Sequence, residues 1–263
     1  MGGFRSILQW LILFTLQILP GYCLLVNNLS NELTLVPGEI KLAKLTLIND
    51  RGCSENIDLK LVDYANNFKG QHFYEDPSTL PRSNASWIEL SCEHLTLAPK
   101  EQVDIFYTVS VPLDSTLSGS YWSVLLIEPQ SLAPATVSND DKFQLNVKIR
   151  FAHHIVSTIG EPKGKLKILC KSLLSIEERT FFCIDVENIG NYFLRPKAVL
   201  KLYNEDGVLE ATLTSSHERL YPNNSSRYLF DVDTLRQKKY KGFLLLDNGD
   251  KNLFGENFIV EIP

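Results

Sequence analysis

The sequence predicts an all-β protein, two β-sandwiches in tandem behind an N-terminal export leader. Three observations predict it. Apolar residues recur with a period of two along most of the chain after residue 24, which sets one face of a strand on a core and the other toward water. Turn-forming residues separate these runs at intervals of roughly 8–12 residues, the spacing of sandwiches rather than of α/β units. Beyond the leader, no segment of about ten residues or more carries an apolar stripe of helical period.

Composition agrees with this class. The chain has 263 residues, 26 Lys and Arg against 31 Asp and Glu, a net charge of −5, and 44% hydrophobic residues. Those values exclude a disordered tail and a multi-span membrane protein. Mild acidity without a long basic run argues against a nucleic-acid partner, which needs a cationic face.

The first segment is an address. Arg5 precedes an apolar run from Ile7 to Leu19, and Pro20 and Gly21 break any helix. This is the order of a secretory signal peptide, expected over residues 1–23, with the mature chain starting near Leu24. The rival is an uncleaved anchor, since the apolar stretch to Val26 approaches the ~20 residues that span a bilayer. Retained, that leader is the only membrane attachment the sequence offers. Tyr22 is too bulky for the small residue that precedes a lipidated cysteine. The protein is therefore expected to be exported, to the periplasm or the cell surface.

The first sandwich is expected over residues 24–154. Leu33–Val36 is an edge strand, ended by Pro37-Gly38. The Ile40–Ile48 run changes phase between Leu42 and Ala43, which predicts a bulge. Ile57, Leu59 and Leu61 alternate with polar neighbours, as do Val103, Ile105, Tyr107, Val109 and Val111. Trp87 lies in its own strand, and Val124–Ile127 forms another. Phe143, Leu145, Val147, Ile149 and Phe151 alternate with Gln144, Asn146, Lys148 and Arg150.

A break near His153–Gly164 opens the second sandwich, residues 155–263. There Asn204-Glu205-Asp206-Gly207 joins Val199–Tyr203 to Val208–Leu213, a hairpin signal because Gly207 accepts a positive φ. Strands at Arg227–Val232 and Phe243–Leu246 follow, and Phe258, Val260 and Ile262 close the chain.

Sites that carry chemistry are few. Without Cys23, four cysteines remain: Cys53, Cys92, Cys170 and Cys183. Export permits disulfides, and the economical pairing is Cys53–Cys92 and Cys170–Cys183. Cys183 is out of phase with Phe182, Ile184 and Val186, so the second bridge needs a bulge; four buried free thiols are the other reading. His153 and His154 are adjacent on an extended chain and point to opposite faces, so they do not share a metal ion. They are read as part of the linker at the domain junction. No nucleophile elbow, zincin helix, phosphate loop or dinucleotide fingerprint occurs, and neither an enzyme nor a cofactor is expected. Tyr121 and Trp122 are core residues or an exposed aromatic platform. Arg236–Lys241, the one basic run, is a solvated turn.

The order of these motifs resembles bacterial exported proteins with two immunoglobulin-like domains, the periplasmic pilus chaperones and the WxL-interacting proteins. The first domain is similar from Pro37-Gly38 through Leu97-Ala98-Pro99 to Leu117-Ser118-Gly119-Ser120-Tyr121-Trp122. The second is similar at Val186-Glu187-Asn188, Leu220-Tyr221-Pro222-Asn223 and Tyr240-Lys241-Gly242. For the chaperones, the resemblance implies capture of another exported protein by strand addition. Main-chain hydrogen bonds then give affinity, and alternate side chains fill the partner's groove. The matching segment is Phe143–Phe151, with Phe143, Leu145, Val147, Lys148, Ile149 and Arg150 as partner-binding residues. Arg150 falls where the family places a basic anchor for a terminal carboxylate, whereas Asn27–Glu32 carries no second one.

The expected function is thus a non-enzymatic, chaperone-like or scaffold role in envelope or surface protein assembly, with another exported or envelope protein as partner. The alternative is a surface adhesin or glycan-binding sandwich, which requires Tyr121 and Trp122 to be exposed.

Overall fold

A computed structural model of the chain describes residues 24–130, 149–215, 219–249 and 253–262. The leader expected over 1–23 lies outside them. Among the described residues, seventeen strands account for nearly all the regular structure, as the alternation predicts. In the first half they are β1 (Leu24–Val26), β2 (Ser30–Leu35), β3 (Ile40–Asn49), β4 (Glu55–Asn66) and β5 (His72–Glu75). A short 3-10 turn, Ala85–Trp87, leads into β6 (Ile88–Leu90), followed by β7 (His94–Leu97), β8 (Gln102–Ser110), β9 (Gly119–Pro129) and β10 (Phe151–Ile159). The second half contains β11 (Leu166–Ile176), β12 (Arg179–Asn188), β13 (Lys197–Tyr203), β14 (Leu209–Ser215), β15 (Ser225–Asp231), β16 (Lys238–Asp247) and β17 (Leu253–Ile262).

Four sheets stack as two sandwiches. The first packs β1-β3-β8-β6 against β2-β10-β9-β4-β5, with β7 beside β4. Its core takes the inward residues of both layers, among them Leu45, Leu47, Ile105, Tyr107, Val109, Leu125, Ile127 and Ile155. The second packs β11-β12-β15 against β14-β13-β16-β17 around Ile184, Val186, Leu200, Leu202, Tyr228, Phe230 and Leu244. The β13–β14 hairpin forms at the expected turn, where Gly207 takes φ +81°. The last strand of the first sandwich runs through the expected boundary at 154/155, its pairing with β9 continuing to Ile159.

Two local expectations fail for physical reasons. The β3 ladder against β8 is unbroken from Ile40 to Ile48, so the phase change is not a bulge. Instead Ile40 and Leu42 point outward, 70% and 63% exposed, while Leu45 and Leu47 enter the core and Ala43 packs against it. His153 and His154 are not linker residues either; both are buried inside β10.

One topological detail positions the candidate site. The N-terminal chain changes sheets after Val26: β1 pairs with β3, whereas β2 runs parallel to β10. That parallel pairing starts only at His154↔Ser30. Upstream of His154, β10 has β9 on one side and no strand on the other among the described residues.

Candidate functional site

The open edge of β10 has a definite polarity. The His154 N–H donates to the Leu29 carbonyl at 2.9 Å, so it points to the β2 side. Alternation then aims the N–H and C=O of Ala152 to the same side, and neither has a partner among the described residues. Of the sequence-predicted site, Ile149 is exposed, and the Arg150 Nε lies 2.8 Å from Glu128 Oε1. Arg150 is half-exposed and sits opposite Glu128 on the sheet face that continues into the domain junction. Phe143, Leu145, Val147 and Lys148 lie outside the described residues.

That face of the sheet is a second element of the site. Val62, Tyr64, Trp122, Val124, Leu126 and Val156 are apolar and buried, although they face away from the first core. Phe193 and Tyr221 of the second sandwich cover them. Tyr221 stacks on Trp122 at 4.5 Å, on Phe193 at 4.9 Å and on His154 at 5.9 Å between ring centres. Its hydroxyl is hydrogen-bonded to His154 Nδ1 at 2.7 Å. Trp122 is 4% exposed and donates Nε1–H to the Tyr64 carbonyl at 2.7 Å. It therefore offers no platform for a sugar. Tyr121 is half-buried, packed on Trp87 with Arg82 over its ring, so the aromatic surface the adhesin alternative requires does not exist here.

Main-chain bonds lock the same junction. Ser120 N–H donates to the Asn191 carbonyl at 2.7 Å, and Phe193 N–H donates to Ser120 Oγ at 3.0 Å. Farther along, Asn66 Nδ2 donates to the Ser225 carbonyl, and Asn224 Nδ2 to Asn66 Oδ1. Arg195 pairs with Glu32 across the halves.

Beside the stack opens a polar cleft of about 590 Å³ lined by Tyr64, Asn66, His72, Tyr74, His154, Arg195 and Arg219. Tyr64 Oη and His72 Nδ1 are hydrogen-bonded at 2.8 Å. Arg219 has no hydrogen bond or ion pair among the described residues. Sequence reasoning missed Phe193, Arg195 and Arg219, and treated Tyr221 only as a turn motif. A signal was present: Val124-Leu125-Leu126-Ile127 does not alternate, and an unbroken apolar run marks a strand buried on both faces.

The two histidines face opposite ways, as the extended backbone requires. His153 Nδ1–H donates to the Asn28 carbonyl at 2.8 Å, and its Nε2 lies 3.2 Å from Tyr107 Oη. Burial lowers its pKa. His154 is pulled down to about 3, first by burial and then by the positive field of Arg219, His153, Arg195 and His72. A sign follows. The unfolded imidazole takes a proton near pH 6.5 and the folded one only near 3. Above pH 6.5 His154 costs nothing; below it stability falls, by about 1.4 kcal/mol per pH unit for each such proton. Urea midpoints measured from pH 7.5 to 4.5 check this, with His154→Gln expected to flatten the slope by one proton. An unchanged slope in that variant refutes the assignment.

The four cysteines are all free thiols, which corrects both expected bridges. A register shift does occur between Ile168 and Cys170, yet it leaves Cys170 opposite Asp185 while Cys183 lies opposite Ser172. Cys170 is exposed and Cys183 buried, so the thiols sit in different environments two residues out of register. Cys53 is exposed before β4, and Cys92 follows β6. The β4–β7 ladder brings Ile57 to Leu95 and Asp58 to His94, so its register carries Cys53 away from Cys92. Among the described residues, no group of three metal-ligating side chains converges, and no helix is long and apolar enough to cross a membrane.

No protein-family model matches the sequence, and no curated protein does. Solved structures do share its fold. The class 5 fimbriae chaperone CfaA matches at 13% identity and a TM-score of 0.50, over 92% of this chain and 100% of its own. A chain from a CFA/I chaperone–tip adhesin complex matches at 15% identity and 0.49, over 92% and 99%. A chain of the CsuC–CsuE pre-assembly complex of Acinetobacter baumannii matches at 14% and 0.49, over 89% and 97%. The fold is therefore two tandem immunoglobulin-like sandwiches of the kind seen in CfaA. The likeness to pilus chaperones read from the motifs reappears in three dimensions.

Proposed function

We propose that this protein is an exported, non-enzymatic, chaperone-like or scaffold component of cell-envelope assembly, located in the periplasm. It captures another exported protein by pairing a strand of that partner with the outer edge of β10. The observation that carries the reading is the edge of β10 upstream of His154, which has no neighbouring strand among the described residues and where the N–H and C=O of Ala152 find no partner among them. Strand addition to such an edge is a general mode of peptide capture. Phe143, Leu145, Val147 and Lys148 are proposed as partner-binding residues together with Ile149 and Arg150. The leader-like first segment supports export. Any membrane attachment is through the leader.

Arg150 is the charge anchor of this reading. Its guanidinium is half-exposed and shares one nitrogen with Glu128, leaving the rest of its fork for a partner carboxylate. Affinity purification from envelope extract, with identification of the bound species, is the test. The wild-type protein is expected to retain an incompletely folded exported protein. Arg150→Glu is expected to cut that capture by about tenfold, a lost charged hydrogen bond plus repulsion, while the melting temperature hardly moves because surface ion pairs contribute little. Capture by Arg150→Glu at the wild-type level refutes the anchor. Ala152→Pro removes the outward N–H while taking no donor from the β9 ladder; undiminished capture by that variant refutes the edge itself.

A further inference from the structure

A second opening in a sheet lies on the other side of the first sandwich. The strand β4 is long, and its edge away from β9 is covered by two short strands in succession. β7 pairs with Glu55–Asp58, and β5 pairs with Asp63–Asn66. Between them Lys60, Leu61 and Val62 have no strand on that side among the described residues. The Leu59 N–H donates to the Glu93 carbonyl at 2.8 Å, just past the end of β7, which fixes the direction of odd-numbered residues. By alternation the N–H and C=O of Leu61 point the same way, into the gap. Neither finds a partner among the described residues.

A slot of about 590 Å³ occupies this gap, a size typical of ligand sites. Leu59, Leu61, Ala85, Ile88 and Leu90 give it an apolar floor, with β6 as the facing edge. Glu89 and Glu93 stand on the rim, exposed and without ion-pair partners among the described residues; Lys60 is the one cation there.

We infer that this slot binds an extended peptide segment in which an apolar residue is followed by Lys or Arg. The peptide fills the break between β5 and β7, bonding the Leu61 N–H and C=O as a third short neighbour of β4. Its apolar side chain enters the slot, and its cation meets Glu89 and Glu93. The complementarity is specific: two carboxylates outweigh one ammonium, so the rim favours a basic peptide over an acidic one. This site is separate from the β10 edge and stands or falls independently of it.

The test uses fluorescence anisotropy with a labelled heptapeptide that alternates valine with lysine and threonine. Saturable binding to the full chain is expected, weakened about tenfold or more in the double variant Glu89→Lys/Glu93→Lys. Leu90→Arg, which fills the slot from an exposed edge, is expected to abolish binding. The same peptide with glutamate replacing lysine is expected to bind at least about tenfold more weakly. Absence of saturable binding, or unchanged affinity in the charge-reversed variant, overturns the proposal. Arg150→Glu is expected to leave the affinity unchanged; a loss there would move the peptide to β10 and equally overturn it. A dimer of the unliganded protein that Glu89→Lys/Glu93→Lys dissolves would assign the slot to a second copy, with the same consequence.

Discussion

Tyr221→Ala is expected to destabilise the junction by about 3–5 kcal/mol, the usual cost of removing a large buried aromatic ring. Tyr221 is wholly buried and touches Tyr64, Trp122, His154 and Phe193. Truncation leaves a cavity among Tyr64, Trp122 and His154 on strands of the first half and Phe193 in a connection of the second, rings that cannot close over it without a change of relative position. It also leaves His154 Nδ1 buried without its hydrogen-bond partner, a further cost of about 1–3 kcal/mol if no water enters. The cores of the two sandwiches do not contain Tyr221. Each half should therefore keep its sheets while the coupling between them is lost. Calorimetry is expected to show one cooperative transition for the parent chain and two for Tyr221→Ala, with the far-ultraviolet circular dichroism unchanged. Tyr221→Phe keeps the ring stack and loses only the hydroxyl, so it should cost about 1 kcal/mol and leave a single transition. A single transition in Tyr221→Ala, shifted no more than that of Tyr221→Phe, would show that the junction does not hold the halves together.

The sequence made the strands legible because most of them are buried on one face only. The alternation in Val103–Val111 maps directly onto β8, whose odd residues enter the core. It misled at Ile40–Leu42, where apolar side chains stand in solvent on the outer face, because period two reports which residues share a face and not which face is covered. The junction was harder. Trp122, Val124 and Leu126 are as apolar as their inward neighbours, but what covers them comes from Phe193 and Tyr221, far along the sequence and without local periodicity. The cleft arginines were illegible for the same reason: Arg195 and Arg219 sit in connections whose course is set by pairing of Leu194 with Leu220. The thiols show a further limit. The bulge that a Cys170–Cys183 bridge needed is present, yet it turns Cys170 outward, an outcome that depends on local backbone angles rather than on spacing.

Gly119→Ala is expected to cost about 3 kcal/mol or more, the sum of two effects that a control can separate. Gly119 opens β9 with φ +86°, a conformation that costs an L-residue with a Cβ roughly 1–2 kcal/mol. Close contact adds to this. A Cβ there would lie 2.0 Å from the Asn191 carbonyl oxygen and 2.8 Å from its carbonyl carbon. The next residue donates the Ser120 N–H to that same oxygen at 2.7 Å, so the methyl cannot be accommodated without pulling apart a hydrogen bond between the halves, worth about another 1–3 kcal/mol once its buried groups are unpaired. Gly207 has nearly the same φ, +81°, but nothing within 4 Å of its added Cβ. Gly207→Ala therefore measures the conformational part alone, and the excess in Gly119→Ala measures the contact across the junction. Equal losses in the two variants, from urea unfolding, would place the whole effect in backbone strain and leave the junction out of it. Adding Asn191→Gly should rescue Gly119→Ala only in small part: it removes the Asn191 Cγ, 2.7 Å from the added Cβ, but keeps the carbonyl oxygen at 2.0 Å, which every residue type retains at that position.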